Sequence, residues 1–455
     1  MTINTQVVLD YTLHDLYSID NDGSPIPALV YDSQPVEDYA MIPSAKYVYH
    51  LAAQEGSDKM LILLTRSQTE RRVFLAGKMP VFVMDFAYSQ NEQDTEALPA
   101  DKADVYRHLS TMRHDQQPAL TFVKRADQIN LPPSVPVAVV VPIDPFAPLL
   151  HIVDPDVHFC ILAKRGLAVS GLPTPPSTVV DVALPLDQLK DDTKMGREIA
   201  RMLELIDTYH TPFVVKLPQS VAAMGTFAIL SDDDRVRVKA ILSTHMRVML
   251  KQINVANYHL NPCSLIFQNF VAGTEVALSF FVTQTGRCIF VGCFDQEFDK
   301  EGRWSGGSIS YPDQPALEEK YATTIEKTAQ FLHEKGYYGP AGVDVLTDSQ
   351  GNQYVVDLNV RLTGLCHLGF LKGHFTRRGL DVASTVTGFF TCSREMVEKA
   401  FYNEFQGGSL LIIAWSYDDS MKLSCGAIGV GGKSASDIER LAARIREYTT
   451  PGGHY

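Results

Sequence analysis

The sequence contains no apolar run long enough to cross a bilayer. Its most apolar stretch, VPVAVVVPI from Val135 to Ile143, is about half as long as a membrane-spanning helix and contains prolines. The N-terminal residues 1–20 have neither a basic start nor an apolar core, so they do not resemble a secretory signal. We therefore expect a cytoplasmic protein with no membrane partner.

The sequence contains few cysteines, and its basic residues are fewer than its acidic ones. The seven cysteines form no CxxC pair, and their odd number and irregular spacing favour reduced thiols over a disulfide framework or structural zinc. The 40 Lys and Arg residues are outnumbered by 53 Asp and Glu, which leaves a net charge of −13. A nucleic-acid-binding protein needs a basic face to displace counterions, so we expect no nucleic-acid partner.

The remaining composition is that of a globular protein. The chain has 455 residues, of which 45% are hydrophobic and 20% charged, and this length predicts about two to four domains. The runs MPVFVMDFA and VPVAVVVPI are typical of buried parallel strands, and KMLILLT is typical of a strand or a strand–helix piece. We predict an N-terminal α/β domain at residues 1–153, and a new pattern of helices and strands begins near Asp154.

The chain after residue 153 contains clearer helix and strand patterns. The segment SDDDRVRVKAILSTHMRVMLKQIN begins with a serine and three aspartates and has Lys251 near its end, an order that suits a helix dipole. PALEEKYATTIEKTAQFLHEKG predicts a second long helix that ends at Gly336, and DVHFCILAKRGLAVSG predicts a single helix that ends at Gly171. SLIFQNFV, TEVALSFFVT and GRCIFVGCF are strand candidates.

A hairpin candidate carries polar residues where a buried strand should be apolar. It runs from Gly342 to Gly364, and its second strand places Asp357, Asn359 and Arg361 on one face together with Val355. If the turn is centred between residues 350 and 351, Asp344 lies directly opposite Asp357. Facing carboxylates repel unless a cation lies between them, and Mg²⁺ binds through one or two carboxylates. A solvated acidic face is the alternative.

Two further features indicate a nucleotide. Lys216 lies within an apolar strand and is followed by small residues, among them Ser220, Gly225 and Thr226, which let backbone N–H groups approach phosphate. A snorkelling lysine before a plain turn explains this pattern nearly as well. The strand that ends at Val271 could offer its edge to a flat base, and Glu275 follows it closely.

These features, in this order, resemble the ATP-grasp superfamily from about Asp154 to Leu371. The resemblance implies an ATP-grasp-like α/β fold, in which the N-terminal domain is followed by a small central lobe at residues 154–268 and a larger C-terminal lobe at 269–455. The resemblance implies ATP as cofactor, with Mg²⁺ (or Mn²⁺) held by Asp344, Asp357 and Asn359. It also implies that Lys216 and its loop contact phosphate, and that Glu275 contacts ribose. The residues implied to line adenine are Gln268, Asn269 and Val271. Cys160 stands where the family has its first nucleotide-contacting lysine, and Lys164, one helical turn later, is the candidate replacement.

The same resemblance implies a catalytic role for two arginines. Arg361 would hold a substrate carboxylate or its acyl phosphate, and Arg303, in the loop RWSGGSISYP, would contact substrate. The closest resemblance is to amino-acid or dipeptide ligases, which join small-molecule carboxylate and amine substrates and release ADP and phosphate. A carboxylase or kinase-type phosphotransferase, and a regulator that binds nucleotide without catalysis, are the alternatives; a homodimer is a further expectation left open.

Overall fold

A computed structural model describes residues 6–32, 44–49, 58–88, 99–220, 225–298 and 304–450. Across these ranges the chain is a mixed α/β protein, as the sequence predicts, and its strands form three separate sheets. Among the helices described, none combines the length and apolar character needed to cross a membrane.

The first sheet has four parallel strands in the order β3-β2-β1-β4. The strands are β1 (Ala28–Asp32), β2 (Pro80–Met84), β3 (Ala119–Val123) and β4 (Val137–Val139), and the helices of this region are α1 (Leu13–Ser18), α2 (Asp58–Val73) and α3 (Ala100–Leu109). The KMLILLT run lies within α2, so its interpretation as a strand piece was wrong. Leu63 and Leu64 form a buried cluster with Phe389 and Cys425, and contacts that distant are not encoded in local periodicity.

The second sheet is antiparallel, in the order β5-β8-β6-β7, and lies in the region predicted as the central lobe. Its strands are β5 (Ser177–Asp181), β6 (Phe213–Lys216), β7 (Thr226–Ile229) and β8 (Ser264–Asn269); its helices are α4 (Pro155–Leu162), α5 (Lys164–Ala168), α6 (Asp192–Thr208) and α7 (Asp232–Gln252). The predicted long helix is confirmed in α7, where Ser231 accepts a hydrogen bond from the Asp234 N–H. Helices α6 and α7 share one apolar core with β6 and β8.

The predicted single helix before Gly171 is instead two helices, α4 and α5. They are separated at Ala163, whose backbone is extended (φ −72°, ψ 139°). The Lys164 N–H donates to the Pro218 carbonyl at 2.8 Å, outside the helical ladder. This bond to a remote loop explains the break, and it makes Lys164 the first residue of α5.

The third sheet has eight antiparallel strands in the order β13-β12-β9-β10-β11-β14-β16-β15. The strands are β9 (Thr274–Val282), β10 (Cys288–Phe298), β11 (Trp304–Ser310), β12 (Gly339–Thr347), β13 (Gln353–Asn359), β14 (Val382–Phe390), β15 (Leu410–Asp418) and β16 (Leu423–Gly432). The helices are α8 (Gln314–Glu334), α9 (Cys366–Phe370), α10 (Lys372–Thr376), α11 (Arg394–Ala400), α12 (Tyr402–Gly407) and α13 (Ala435–Arg446). Gly336 follows α8 with φ +80°, as its role as a helix stop requires.

The first and third sheets are joined through a shared core. Val81 and Phe74 of the N-terminal region belong to the same buried cluster as Phe281, Phe370 and Phe375 of the C-terminal region. Since Phe74 directly follows α2, this core fixes the carboxyl end of α2 against the C-terminal lobe. That contact brings N-terminal residues close to the hairpin of β12 and β13.

Candidate active site

The hairpin of β12 and β13 places two carboxylates opposite one another. Asp344 pairs with Asp357, as the sequence predicts, but Val345 pairs with Val355, so Val356 is an extra, bulged residue. Because of this bulge, the simple alternation of strand faces that the sequence predicts does not continue across residue 356. Val355 is fully buried in the same core cluster as Leu358, rather than sharing a face with Asp357.

The two facing carboxylates differ in their electrostatic environment. Burial raises the pKa of Asp344 well above its usual value, and the charges of Asp357 and Glu275 raise it further. Burial also acts to raise the pKa of Asp357, but the ammonium groups of Lys164 and Lys216 outweigh it, so this pKa is lowered. Asp357 therefore favours the ionised form, whereas Asp344 favours a proton unless a cation neutralises the pair.

The donor set of the hairpin fits a magnesium ion. Mg²⁺ needs one or two carboxylates and completes its shell with waters and phosphate oxygens, and Asp344 and Asp357 supply that number. Across the described ranges, no group of three or more His, Cys, Asp and Glu side chains is arranged to hold a metal. The third predicted ligand, Asn359, accepts a hydrogen bond at its Oδ1 from Arg361 Nη2, 2.9 Å away.

Lys164 reaches the hairpin from the central lobe. Its Nζ lies 2.8 Å from Asp357 Oδ1 and 3.3 Å from the Ser220 carbonyl oxygen, and its side chain is 9% exposed. Cys160 lies on α4 and is exposed. An ammonium group is therefore present at the acidic hairpin although position 160 is not a lysine, and α5 supplies it because the helix breaks at Ala163.

Lys216 is the second lysine that contacts the hairpin. Its Nζ donates to the carbonyl oxygen of Val356, the bulged residue, at 2.6 Å. Burial lowers the pKa of Lys216 to about 8, against the opposing effect of Asp357. Thr226 pairs with Lys216 across β6 and β7.

The predicted phosphate loop is tightly packed at its two described ends. A Cβ added to Gly225 would lie 2.5 Å from both Cβ and Oγ of Ser220, so no larger residue fits there without rearrangement. The Ser220 hydroxyl is buried and makes no hydrogen bond within the described part of the chain. Residues 221–224 between them lie outside the described ranges.

The predicted adenine residues lie at and just after the end of β8. Gln268 is buried, and its amide donates to Thr174 Oγ1 (3.1 Å) and Ser177 Oγ (3.0 Å), so this side chain holds the turn before β5. Asn269 is exposed and accepts a hydrogen bond from Tyr209 OH at 3.0 Å. Val271 is half-buried. Their contacts with adenine stay predictions.

Glu275 lies on β9, where it pairs with Leu346 of β12. The residue is exposed, and Gln296 Nε2 donates to its Oε1 at 3.3 Å. Partial desolvation of its carboxyl group raises its pKa; Lys216 opposes this effect and Asp357 adds to it. Glu275 is thus electrostatically coupled to both the lysine and the acidic hairpin, and its role toward ribose stays a prediction.

Of the two predicted catalytic arginines, the structure describes only Arg361. Arg361 follows β13, donates to Asn359 and to the Leu362 carbonyl oxygen (3.2 Å from Nη1), and has a pKa lowered by burial. It lines a small pocket next to the acidic hairpin. Arg303 lies outside the described residues.

Sequence reasoning missed two residues of this pocket, Arg71 and Arg72. Both lie in the last turn of α2 and line the pocket with Arg361. The only local signal was a pair of arginines at the carboxyl end of a helix, which a favourable interaction with the helix dipole also explains. Their approach to Arg361 depends on the core shared by the first and third sheets.

Comparison with known proteins supports the resemblance seen in the sequence. Residues 194–359 match a family model described as "L-aspartate--L-methionine ligase, ATP grasp". A D-alanine--D-alanine ligase of Pelotomaculum thermopropionicum is 26% identical over 201 residues, which are 43% of this chain and 55% of that protein. A second, from Francisella philomiragia, is 21% identical over 167 residues, or 37% and 50% of the two chains. The chain thus spans about half the length of the curated relatives it matches.

Two solved structures of ligases align with most of the chain at low sequence identity. Phosphoribosylamine--glycine ligase from Thermotoga maritima has a TM-score of 0.47 at 13% identity and covers 94% of this chain and 99% of its own. An L-amino acid ligase from Bacillus licheniformis has a TM-score of 0.46 at 12% identity, with 93% and 97% covered.

Proposed function

We propose that this chain, which carries an ATP-grasp segment at residues 194–359 and resembles ATP-dependent ligases, joins a carboxylate to an amine through an acyl phosphate. The observation that carries the proposal is the meeting of Lys164 and Lys216 on one strand of the acidic hairpin, at Asp357 and Val356. Phosphoryl transfer depends mainly on positioning and charge neutralisation, which two lysines, an arginine and a carboxylate pair can supply.

Each group has a role in the proposed reaction. Lys164 and Lys216 hold the phosphates of ATP, and Arg361 holds the substrate carboxylate beside Asn359. Asp344 and Asp357, with Asn359, would hold Mg²⁺ or Mn²⁺, which when bound neutralises charge on the β- and γ-phosphates. A small amino acid or related metabolite is the substrate class that the matched family supports.

The chemistry has two steps. A substrate carboxylate oxygen attacks the γ-phosphorus of ATP, and the bond to the β–γ bridging oxygen breaks, so ADP leaves with the electron pair. The amine nitrogen then attacks the acyl carbon, and the carbon–oxygen bond to phosphate breaks. Phosphate leaves, a proton passes from the amine to water, and an amide remains.

The terminal phosphorus is the proposed site of attack because of how the groups are distributed. The metal hairpin and Arg361 lie together, whereas the end of β8 that would bind adenine belongs to the central lobe. ATP anchored at both ends presents its γ-phosphoryl group to a carboxylate on Arg361. The test is to measure ADP and orthophosphate release, and to trap an acyl hydroxamate with hydroxylamine when the amine is omitted.

The outcomes of this test are distinct. Arg361→Ala should lose the hydroxamate while MgATP binding persists, and Arg361→Lys controls for loss of packing. Release of AMP and pyrophosphate would overturn the acyl phosphate route. A regulator without catalysis is the alternative that a chain lacking a lysine at position 160 suggests, and the contact of Lys164 with Asp357 supports the catalytic proposal instead. A carboxylase is separated from a ligase by testing bicarbonate as the carboxylate substrate.

A further inference from the structure

Helix α5 is too short to fix its own orientation. It has five residues, Lys164–Ala168, and isolated helices of fewer than about 12 residues are marginal in water, so contacts with the rest of the chain must hold it. Consecutive residues of a helix point about 100° apart. Lys164 accordingly reaches the acidic hairpin, whereas Arg165 reaches β5. A contact that fixes the rotation of α5 about its axis therefore also fixes the direction of Lys164.

Arg165 forms a bidentate ion pair with Asp181, the last residue of β5. Its Nε donates to Asp181 Oδ1 at 2.8 Å, and its Nη2 donates to Oδ2 at 2.7 Å. The hydrogen bond from Arg165 lowers the pKa of Asp181, so the carboxylate is ionised at neutral pH. Two parallel hydrogen bonds between planar groups fix an orientation as well as a distance, which a single contact with an ammonium group does not.

The carboxylate of Asp181 is itself held by the sheet. Ser264 of β8 lies opposite it in the strand register, is fully buried, and donates from Oγ to Asp181 Oδ1 at 2.7 Å. At the other end of the same strand pair, Ser177 lies opposite Gln268, one of the residues predicted to line adenine. The pairing of β5 with β8 thus connects the predicted adenine edge to the residue that binds Arg165.

Backbone contacts set the position of α5. The Lys164 N–H donates to the Pro218 carbonyl oxygen at 2.8 Å, which places the first residue of the helix. A Cβ at Gly166 would collide with the carbonyl oxygen of Cys160, so α5 packs directly against the end of α4. The bidentate pair adds a side-chain connection from α5 to the sheet.

We propose that Arg165 and Asp181 are positioning residues, whose bidentate pair sets the rotation of α5 and so directs the Lys164 amine at the acidic hairpin. The inference rests on the proposed function for the role of Lys164 toward ATP. Because 28% and 35% of the two side chains are exposed, solvent screening keeps the contribution of the pair to folding stability small. Its loss should therefore change the environment of Lys164 much more than the melting temperature.

Chemical labelling of the lysines tests the inference without nucleotide. Lys164 and Lys216 are both buried, so acetylation by N-hydroxysuccinimide acetate, followed for each residue by mass spectrometry, should be slow relative to the exposed Lys190. In Arg165→Gln the rate at Lys164 should rise several-fold, while the rate at Lys216 stays that of the native protein. An unchanged rate at Lys164 would overturn the inference, and so would an equal rise at Lys216, because that result indicates general loosening.

Further variants separate the geometry of the pair from its charge. Asp181→Asn should raise the labelling rate of Lys164 as Arg165→Gln does. Arg165→Lys keeps the charge but not the two-pronged contact, so it should restore the protection only in part. Arg237→Gln is the matched control, because it removes an ion pair with Asp234 (2.8 Å) on α7 and should leave the labelling of Lys164 unchanged.

ATP kinetics then determine whether the pair acts through Lys164. Arg165→Gln should lower kcat/KM for ATP about 10-fold, since a small misplacement of a positioned group is costly. The same substitution should have no further effect in a Lys164→Ala background, because residues that act as one unit are not additive. An equal loss in both backgrounds would contradict the inference. Native ATP kinetics in Lys164→Ala would instead refute the ATP role of Lys164, and the labelling rates would still decide whether Arg165 directs its amine.

Discussion

Lys164 of the central lobe and Asp357 of the acidic hairpin form an ion pair, with Nζ and Oδ1 2.8 Å apart. The pair connects α5, which begins at Lys164, with β13 of the C-terminal sheet. A predicted ATP-contacting lysine and a predicted metal ligand are therefore one electrostatic unit. Substituting either residue therefore removes the charge partner of the other.

Lys164→Ala should lower kcat/KM for ATP by about 10- to 100-fold, because it removes a charged hydrogen-bond donor from the site. Steady-state kinetics with varied ATP measures the effect. Cys160→Ala and the exposed Lys190→Ala are controls that should match the native enzyme. Native kinetics for Lys164→Ala, or a loss in Cys160→Ala, would show that the assignment to position 164 is wrong.

Asp344→Asn and Asp357→Asn should both abolish turnover, but they should differ in their effect on the melting temperature of the metal-free protein. Asp344 is a buried carboxylate whose ionised form is disfavoured, so its amide should leave the melting temperature unchanged or raise it. Asp357→Asn breaks the ion pair with Lys164 and should lower it. Melting curves with chelator, together with ADP release at saturating Mg²⁺, measure both. Native turnover by either variant would refute its role as a metal ligand.

Lys216→Ala should raise KM for ATP and lower kcat, since a buried phosphate partner acts in both the ground and transition states. It also removes the 2.6 Å contact with the Val356 carbonyl oxygen, which links the central lobe to the hairpin. ATP kinetics measure the change, with Lys190→Ala again as control. If Lys216→Ala behaves like the native protein, Lys216 is only a strand residue whose amine reaches a carbonyl.

Gly225→Ala should weaken ATP binding because the new methyl group would lie 2.5 Å from Cβ and Oγ of Ser220. The collision must move one end of the predicted phosphate loop. Adding Ser220→Gly removes the colliding atoms, so the double variant should recover at least part of the affinity measured by calorimetry with MgADP. If Gly225→Ala binds like the native protein, the loop does not contact phosphate in this conformation.

Glu70 should make stability depend on pH. It is buried and accepts a hydrogen bond from the backbone N–H of Trp415 at 2.9 Å, and burial raises its pKa from 4.5 to about 8. The folded state therefore retains a proton that the unfolded chain releases. Its contribution to stability is fully present below about pH 4.5 and is lost as pH rises through 8.

Glu70→Gln should flatten that decline, because glutamine mimics the protonated acid. Denaturant unfolding at several pH values from 5 to about 9 measures the slope, and the full window corresponds to on the order of a few kcal/mol. The exposed Glu439→Gln is the control. Equal slopes in Glu70→Gln and the native protein would mean that Glu70 does not titrate as inferred.

Much of the C-terminal architecture was readable from the sequence because local chemistry determines it. The capping serine and acidic first turn predict α7, and Gly336 predicts the end of α8. Alternation and a polar turn predict β12 and β13, and the pairing of Asp344 with Asp357 follows from counting outward from that turn. These signals act over a few residues, so they do not depend on the rest of the fold.

Other features were decided only by contacts between distant parts of the chain. The bulge at Val356 and the break at Ala163 are not visible in periodicity, and the break accompanies a hydrogen bond to the Pro218 carbonyl. Arg71 and Arg72 meet Arg361 only because N- and C-terminal sheets share one apolar core. The sequence by itself thus determined the acidic hairpin and its helices. Tertiary packing determined which lysine and which arginines face the hairpin, because side chains hundreds of residues apart are brought together only by burial of a common core.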